Sequence, residues 1–346
     1  MKPNFESHQA DPFGEHQPAA FRRELSVLGA RFEFLADAPE LLDLVDQAYA
    51  GLPAQVLKPA PLLQVRLRLM AGEPSLAGLG ERPEPPLARM QGGAGFFGAV
   101  MDAENLSWVC PSTRSALVSF SPELSRFFPY HARYELLEFA VFTLACRTQQ
   151  LVPLHAGCVG LNGVGALLVG ESGAGKSTLS AHAFLQGLDF LTEDAAFVEP
   201  ESLRTAGVAN FLHLRSDALP FFEDAAVRDW IQHSPVIRRR SGVEKFEIDM
   251  RDKAWGRVAP TTLKLGAVIF ITKQPTGDGQ ALVRLAGHTL AERLAQSQPY
   301  AAQQPGWSGF AEQVSHLAGF ELRRGPHPGE AARALRQALQ DLTSAP

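Results

Sequence analysis

The first third of the chain carries hydrophobic patterns that predict a mixture of strands and helices. Val65–Leu69 alternates strictly between apolar and charged residues, which is typical of a strand with one solvent-facing side. Short strands are also predicted at Arg31–Leu35 and Ser115–Phe120. Tyr130–Gln149 has apolar residues at helical spacing and predicts a long helix. Together these elements indicate a small α+β domain.

Two stretches of this region lack such patterns. Residues 1–22 are polar and contain scattered prolines, which predicts a disordered arm. Residues 72–95 hold four prolines and several glycines, and we expect a long surface loop there.

The rest of the chain alternates between apolar runs and helical segments. Val164–Val169 and Leu265–Thr272 predict buried strands, and residues 288–297 and 329–342 have helical spacing. We therefore expect three parts: the arm at residues 1–22, an α+β domain at 23–150 and a larger α/β domain at 151–346.

A glycine-rich loop follows the strand predicted at Val164–Val169. The loop matches G-x-x-x-x-G-K-[ST], the phosphate-binding P-loop, and a helical segment that ends before Gly187 follows it. The glycines allow successive N–H groups to surround an anion, and the positive end of the helix favours the same anion. The predicted nucleotide contacts are Gly170, Glu171, Ser172, Gly173, Ala174, Gly175, Lys176, Ser177 and Thr178.

Composition excludes several other classes of function. The net charge of −5 gives no general attraction to nucleic acid or to anionic membranes, and no apolar run is long enough to span a bilayer. The three cysteines are far apart in sequence, which argues against a disulfide framework or a zinc site. Because the N-terminus also lacks the apolar core of a secretory signal, we expect a cytoplasmic protein.

The P-loop leaves the phosphate chemistry open among ATPases, GTPases, small-molecule kinases and protein kinases. The late apolar strand ends in Thr272–Lys273 rather than aspartate, so it does not supply an ordinary Walker B acid. The acids nearest in sequence are Glu193 and Asp194, which follow the strand predicted at Leu188–Leu191. A carboxylate at the end of a strand can hold Mg²⁺ or accept a proton from a hydroxyl, although both acids could instead be solvated loop residues.

The spacing of these groups resembles the HPr serine kinase/phosphorylase family. His155 stands fifteen residues before Gly170, and Asp194 stands seventeen after Ser177, with Glu193 in place of the family's first aspartate. The whole chain looks closer to the HPr-kinase-related kinase A type. The resemblance implies a P-loop nucleotide domain of the HPr-kinase/phosphoenolpyruvate-carboxykinase type, preceded by the smaller α+β domain, with ATP and Mg²⁺ as cofactors.

The same resemblance implies a role for each matching residue. Lys176 would hold the transferred phosphoryl group, and Ser177 would bind Mg²⁺ with Glu193 beside the metal. Asp194 would accept the proton of the substrate hydroxyl, and His155 would be the histidine of the catalytic site.

The chain departs from the family pattern in the segment Phe211–Asp217. Arg215 matches a family arginine, but His213 stands where the bifunctional enzymes have a metal-binding glutamate. The sequence therefore gives no support for phosphate-driven dephosphorylation or for recognition of HPr itself. Three consecutive arginines, Arg238, Arg239 and Arg240, form a second basic segment that could contact the γ-phosphate, dock an acidic peptide or simply be solvated.

The resulting hypothesis is an ATP- and Mg²⁺-dependent kinase whose partner is a protein or peptide with a Ser/Thr hydroxyl. A non-catalytic nucleotide-binding module and a kinase of small-molecule hydroxyls are the alternatives. We expect no nucleic-acid or membrane partner, and a homo-oligomer is possible.

Overall fold

A computed structural model describes residues 19–57, 62–70, 84–276 and 281–344. These residues form two compact mixed α/β units. Unit 1 contains the described residues of 1–25, 32–48 and 62–144, and unit 2 contains those of 26–31, 49–61 and 145–346. Within the described ranges, every helix is too short or too polar to cross a bilayer.

Unit 1 is built on a seven-stranded sheet. Its order is β1-β2-β3-β7-β6-β5-β4, with β2, β3 and β7 parallel and β7, β6, β5 and β4 successively antiparallel. Phe34 on β2 lies opposite Val65 on β3, and both side chains are fully buried. The strands are β1 (Phe21–Val27), β2 (Ala30–Ala36), β3 (Leu63–Leu69), β4 (Arg89–Gly93), β5 (Phe96–Val100), β6 (Leu106–Cys110) and β7 (Ser115–Phe120).

Three α-helices of six or more residues accompany this sheet among the described residues. They are α1 (Pro39–Tyr49), α2 (Pro122–Phe127) and α3 (Glu138–Gln149). In α1, Leu41, Val45 and Ala48 are fully buried at the spacing of one helical face. The helix predicted at Tyr130–Gln149 is confirmed, although its first half contains a π-helical segment at Ala132–Leu137.

Two boundaries differ from the sequence expectation. β4 occupies part of the predicted loop at residues 72–95, of which residues 72–83 lie outside the described residues. All five residues of β4 are exposed, so the strand lacks the apolar alternation by which strands are recognised. Residues 1–18 of the predicted arm also lie outside the described residues, and β1 begins at Phe21, before the predicted end of the arm.

Unit 2 is built on a ten-stranded sheet whose centre is the strand predicted at Val164–Val169. Along its main path the order is β17-β11-β9-β10-β18-β13-β12-β8, and β20 pairs with both β18 and β19. The strands are β8 (Val152–Leu154), β9 (Gly157–Leu161), β10 (Val164–Val169), β11 (Asp189–Thr192), β12 (Ala196–Val198), β13 (Arg204–Gly207), β17 (Arg257–Val258), β18 (Leu263–Pro275), β19 (Leu282–Leu285) and β20 (Ala318–Arg324).

Helices cover both faces of this sheet, because its central strands are apolar on both sides. On β10, Leu168 belongs to the core under α4 and α8, whereas Leu167 and Val169 belong to the core under α6 and α7. The helices of unit 2 are α4 (Lys176–Leu185), α5 (Ala225–His233), α6 (His288–Ser297), α7 (Trp307–Val314) and α8 (Pro328–Ser344).

A three-stranded antiparallel sheet completes unit 2. It consists of β14 (Phe211–Leu214), β15 (Val236–Arg238) and β16 (Glu244–Asp249), with β16 in the middle. His213 on β14 pairs in register with Glu247 on β16. The sequence did not predict this sheet, because its strands are only three to six residues long.

Candidate active site

The glycine-rich loop connects the end of β10 at Val169 with the start of α4 at Lys176. Gly173 and Gly175 have φ of +76° and +100°, in the left-handed region that other residues rarely adopt. The Lys176 Nζ donates a hydrogen bond of 2.7 Å to the carbonyl of Gly170, with the carbonyl of Glu171 at 3.4 Å. The lysine side chain is therefore folded back over the loop. Burial lowers the pKa of its ammonium group, and the negative charges of Asp194 and Glu193 oppose that shift.

The acidic pair lies at the same edge of the sheet. β9 is antiparallel to both β10 and β11, so β10 and β11 run in the same direction and end at one edge. Glu193 directly follows β11, and the Ser177 Oγ at the start of α4 donates a hydrogen bond of 2.5 Å to Glu193 Oε1. The two residues that the resemblance assigns to the metal are thus in contact.

His155 and Asp194 form a pair beside this contact. The Nε2 of His155 lies 3.0 Å from Asp194 Oδ1, and the two side chains are 66% and 44% exposed. The buried Gln298 holds the backbone of His155 from both sides, because its Oε1 accepts from the His155 N–H and its Nε2 donates to the His155 carbonyl. Sequence reasoning missed Gln298, which lies 143 residues away in the chain.

The charges around Asp194 keep it ionised. Burial raises its pKa, but the hydrogen bond and charge of His155, together with the charges of Arg239 and Lys176, outweigh burial. The pKa of Asp194 is consequently held below its ordinary value. An ionised carboxylate of this kind can accept a hydrogen bond from a hydroxyl at neutral pH.

His213 connects the acidic pair to the small sheet. Its backbone N–H and its Nδ1 lie 2.9 and 2.7 Å from Glu193 Oε2, and its Nε2 lies 3.4 Å from Glu247 Oε1. All three side chains are buried. Burial opposes both shifts, yet the attraction between His213 and Glu193 raises the pKa of the imidazole and lowers the pKa of the carboxyl. His213 therefore compensates the charge of the two buried acids.

The small sheet also brings basic residues to the site. Arg239 begins the turn between β15 and β16, where its N–H donates to the Val243 carbonyl and its own carbonyl accepts from Gly242. Its charge acts on Asp194 and on Lys245 of β16, whose pKa burial lowers. Among the three consecutive arginines, Arg239 thus has an electrostatic effect on the predicted catalytic acid. Arg215, by contrast, is 55% exposed and pairs with Asp217 at 3.1 Å.

The donor atoms at this edge suit a magnesium nucleotide. A serine hydroxyl and a carboxylate are oxygen ligands of the kind that Mg²⁺ prefers, with phosphate oxygens and waters completing its shell. The described residues contain no group of three or more His, Cys, Asp or Glu side chains arranged to hold a metal by themselves. Ser177 and Glu193 therefore fit a metal that arrives with a phosphate ligand.

Comparisons with known proteins add little to this geometry. No family model matches the sequence, and no curated protein matches it. A search of solved structures finds a weak neighbour, described as the structure of the Hpr(Ser) kinase/phosphatase from Coxiella burnetii. It has 13% sequence identity and a TM-score of 0.29, and the match covers 56% of this chain and 99% of that chain. At this TM-score the likeness assigns neither a reaction nor a substrate.

Proposed function

We propose that the chain is an ATP- and Mg²⁺-dependent kinase that transfers the γ-phosphate to a hydroxyl, most simply a serine, of a protein or peptide. The observation that carries the proposal is the meeting of His155 and Asp194 beside the glycine-rich loop. A loop that only binds nucleotide does not require an ionised carboxylate paired with a histidine next to its lysine.

Asp194 in this proposal binds and orients the acceptor hydroxyl. Because its pKa is held below the ordinary value, Asp194 is a weak base, so its main contribution is alignment and its proton transfer is late. Alignment is the larger part of catalysis in phosphoryl transfer, whose transition state is loose. His155 stabilises the ionised carboxylate and holds its orientation.

Lys176, Ser177 and Glu193 bind the magnesium nucleotide. The Lys176 ammonium, which now donates to loop carbonyls, is within the loop that would surround the phosphates and would exchange these contacts for phosphate oxygens. Mg²⁺, when bound, neutralises charge on the phosphates, and ATP supplies the phosphoryl group. His213 keeps Glu193 ionised and oriented toward Ser177.

The exposure of the pair favours a macromolecular acceptor. Asp194 and His155 are 44% and 66% exposed, so a serine on another chain can approach them without opening the fold. Pockets that select small-molecule hydroxyls usually bury most of the ligand.

The first test separates transfer from binding. Asp194→Asn removes the charge while keeping the shape, so transfer from γ-labelled ATP to proteins of a cell lysate should fall about 10²–10⁴-fold. Binding of a fluorescent ATP analogue should remain within about threefold, since the contacts of the loop are unchanged. Asp217→Asn, which alters an exposed acid, is the matched control.

Three other outcomes would change the assignment. If the wild type labels nothing and Asp194→Asn behaves as the wild type, the protein is a non-catalytic nucleotide-binding module. Label that appears in a small molecule instead of a protein would indicate a small-molecule kinase. Loss of nucleotide binding in Asp194→Asn would place Asp194 in the binding of nucleotide rather than of acceptor.

A second test addresses the arginines. Arg239→Gln removes a positive charge next to Asp194, and by analogy with loss of one transition-state donor, transfer should fall about 10²–10³-fold. Arg215→Gln removes an exposed arginine that already pairs with Asp217, and it should leave transfer within about threefold. Equal effects of the two variants would contradict the proposed role of Arg239.

A further inference from the structure

Lys245 is a basic side chain on β16, the middle strand of the small sheet. Residues two apart on a strand point to the same face, so Lys245 shares a face of β16 with Glu247. Glu247 Oε1 lies 3.4 Å from His213 Nε2, and the Nδ1 of His213 lies 2.7 Å from Glu193 Oε2. The face of β16 that carries Lys245 is therefore the face turned toward the acidic pair.

Arg239 lies on the same face, next to Lys245. Ile237 on β15 is in register with Lys245, and the Arg239 N–H continues this ladder by donating to the Val243 carbonyl. Arg239 comes two residues after Ile237, so it is a diagonal neighbour of Lys245, at about 7–8 Å between Cα atoms. Along this face the side chains change from the buried Glu247 to two partly buried bases near the turn.

The ammonium of Lys245 is close to the charges of the glycine-rich loop and of the acidic pair. Burial lowers the pKa of this ammonium, and four charged side chains also act on it: Glu193, Arg239, Asp194 and Lys176. The strand register and these electrostatic effects agree, and together they place Lys245 beside the candidate active site.

This ammonium makes no hydrogen bond or ion pair with any residue that the structure describes. Lys245 is partly exposed, and its Nζ is not one of the buried polar atoms that lack a partner, so a ligand can reach it. Lys176, Arg239 and Lys245 repel one another, and a bound anion relieves that repulsion. A lysine ammonium commonly binds phosphate as a point charge. The partner that fits Lys245 is therefore a phosphate group next to the glycine-rich loop.

We propose that Lys245 is a further catalytic residue, which contacts the γ-phosphate of the bound nucleotide together with Lys176. This inference rests on the proposed kinase function. In the transfer, the acceptor oxygen bonds to the γ-phosphorus while the bond from that phosphorus to the β–γ bridging oxygen breaks. ADP leaves with the electron pair of the broken bond, and the hydroxyl proton passes to Asp194. Lys245 neutralises charge on the oxygens of the phosphoryl group in this step.

The first measurement compares two nucleotides by calorimetric titration of the full chain. Lys245→Met keeps the length of the side chain and removes its charge, so it should weaken the Mg²⁺ complex of a non-hydrolysable ATP analogue about tenfold. Mg²⁺–ADP lacks the γ-phosphate, and its affinity should stay within about twofold of the wild-type value. Lys245→Arg keeps the charge and should bind the ATP analogue within about threefold of the wild type.

The second measurement is transfer from γ-labelled ATP to proteins of a cell lysate at saturating nucleotide. Lys245→Met should reduce the initial rate about 10²–10³-fold, as for removal of one donor to the transition state. Lys264→Met is the control. Lys264 is exposed on β18 opposite Val164, the first residue of β10, and so lies at the end of that strand away from the loop. This variant should match the wild type in both measurements.

A purely structural role for Lys245 predicts a different result. Because its ammonium has no partner, Lys245→Met should unfold in urea at the wild-type midpoint, and a clear fall in that midpoint would overturn the proposal. Equal weakening of both nucleotides, unchanged binding of the ATP analogue, or a loss in Lys245→Arg as large as in Lys245→Met would overturn it as well.

The two measurements also separate this proposal from the kinase function. If the wild type transfers no label while Lys245→Met selectively loses the ATP analogue, the contact with the γ-phosphate stands and the kinase function fails. Wild-type rates of transfer in Lys245→Met would refute the role of Lys245 and leave the kinase function intact. A wild type that binds neither nucleotide would refute both.

Discussion

Replacement of His182 by phenylalanine should change how the stability of unit 2 depends on pH. The imidazole is 7% exposed and lies flat against Phe222, so phenylalanine preserves both the packing and the ring stacking. Burial, and secondly the proximity of His327, lower the pKa of His182 from 6.5 to about 4. Phenylalanine has no proton to bind in either state.

The size of the effect follows from this shift in pKa. Below pH 6.5 the unfolded chain protonates His182 but the folded chain does not, so the free energy of unfolding decreases as the pH falls. The decrease ends near pH 4, where the folded chain also binds the proton. One pKa unit corresponds to about 1.4 kcal/mol, so the wild type should lose about 3 kcal/mol through this residue between pH 7 and pH 4.

Urea unfolding at a series of pH values measures this loss. Three of the four tryptophans, Trp230, Trp255 and Trp307, belong to unit 2, so fluorescence follows its unfolding transition. The wild type should lose about 3 kcal/mol more than His182→Phe between pH 7 and pH 4. The other titratable groups are common to both proteins, and their contributions cancel in the difference.

The control is His233→Phe, which changes an exposed histidine with 76% side-chain exposure. Its pH profile should run parallel to that of the wild type. If the profile of His182→Phe also runs parallel to the wild type, the histidine is not buried in its neutral form, and the reasoning fails.

The remaining predictions concern the packing around the acidic pair. His213→Leu leaves Glu193 and Glu247 buried without their cation, so scanning fluorimetry and urea unfolding should show a loss of about 3–5 kcal/mol. Glu247→Gln removes one of the acids and should cost less; a loss below about 1 kcal/mol in His213→Leu would contradict the charge compensation. Gly157→Ala places a Cβ 2.8 Å from the Glu193 carbonyl oxygen, so it should destabilise unit 2 by about 1–3 kcal/mol and reduce transfer. Gly93→Ala meets no atom within 4 Å and is the control, and equal unfolding midpoints for the two alanine variants would refute the close contact.

Elements with a strong local pattern were predictable from the sequence. β10, the turn at Gly170–Gly175 and α4 form a continuous segment, where apolar runs, glycines and helical spacing each act over a few residues. β11 and the acids after it were also predictable. The connection from the end of α4 is so short that the chain must return to the sheet as its next strand. The long helices near the C-terminus were confirmed for the same reason.

Elements with a weak local pattern could be recognised only in the tertiary structure. β4 is fully exposed, and the strands of the small sheet are too short to show a period. The pairing of His213 with Glu193 and Glu247 therefore could not be read from the sequence, which gave the histidine only as a departure from a family pattern. Gln298 reaches His155 across 143 residues, a distance over which side-chain contacts leave no periodic signal.

The sequence by itself determined the chemistry that could be present: a glycine-rich loop that matches a phosphate-binding motif, two adjacent acids and a histidine, each recognisable from neighbours along the chain. Only the tertiary structure decided which of these groups meet, because β9 inserts between β10 and β11 and brings their ends to one edge of the sheet. It also decided the ionisation of Asp194, because a pKa depends on charges within a few ångströms, and His155, Arg239 and Lys176 come from three separate segments of the chain.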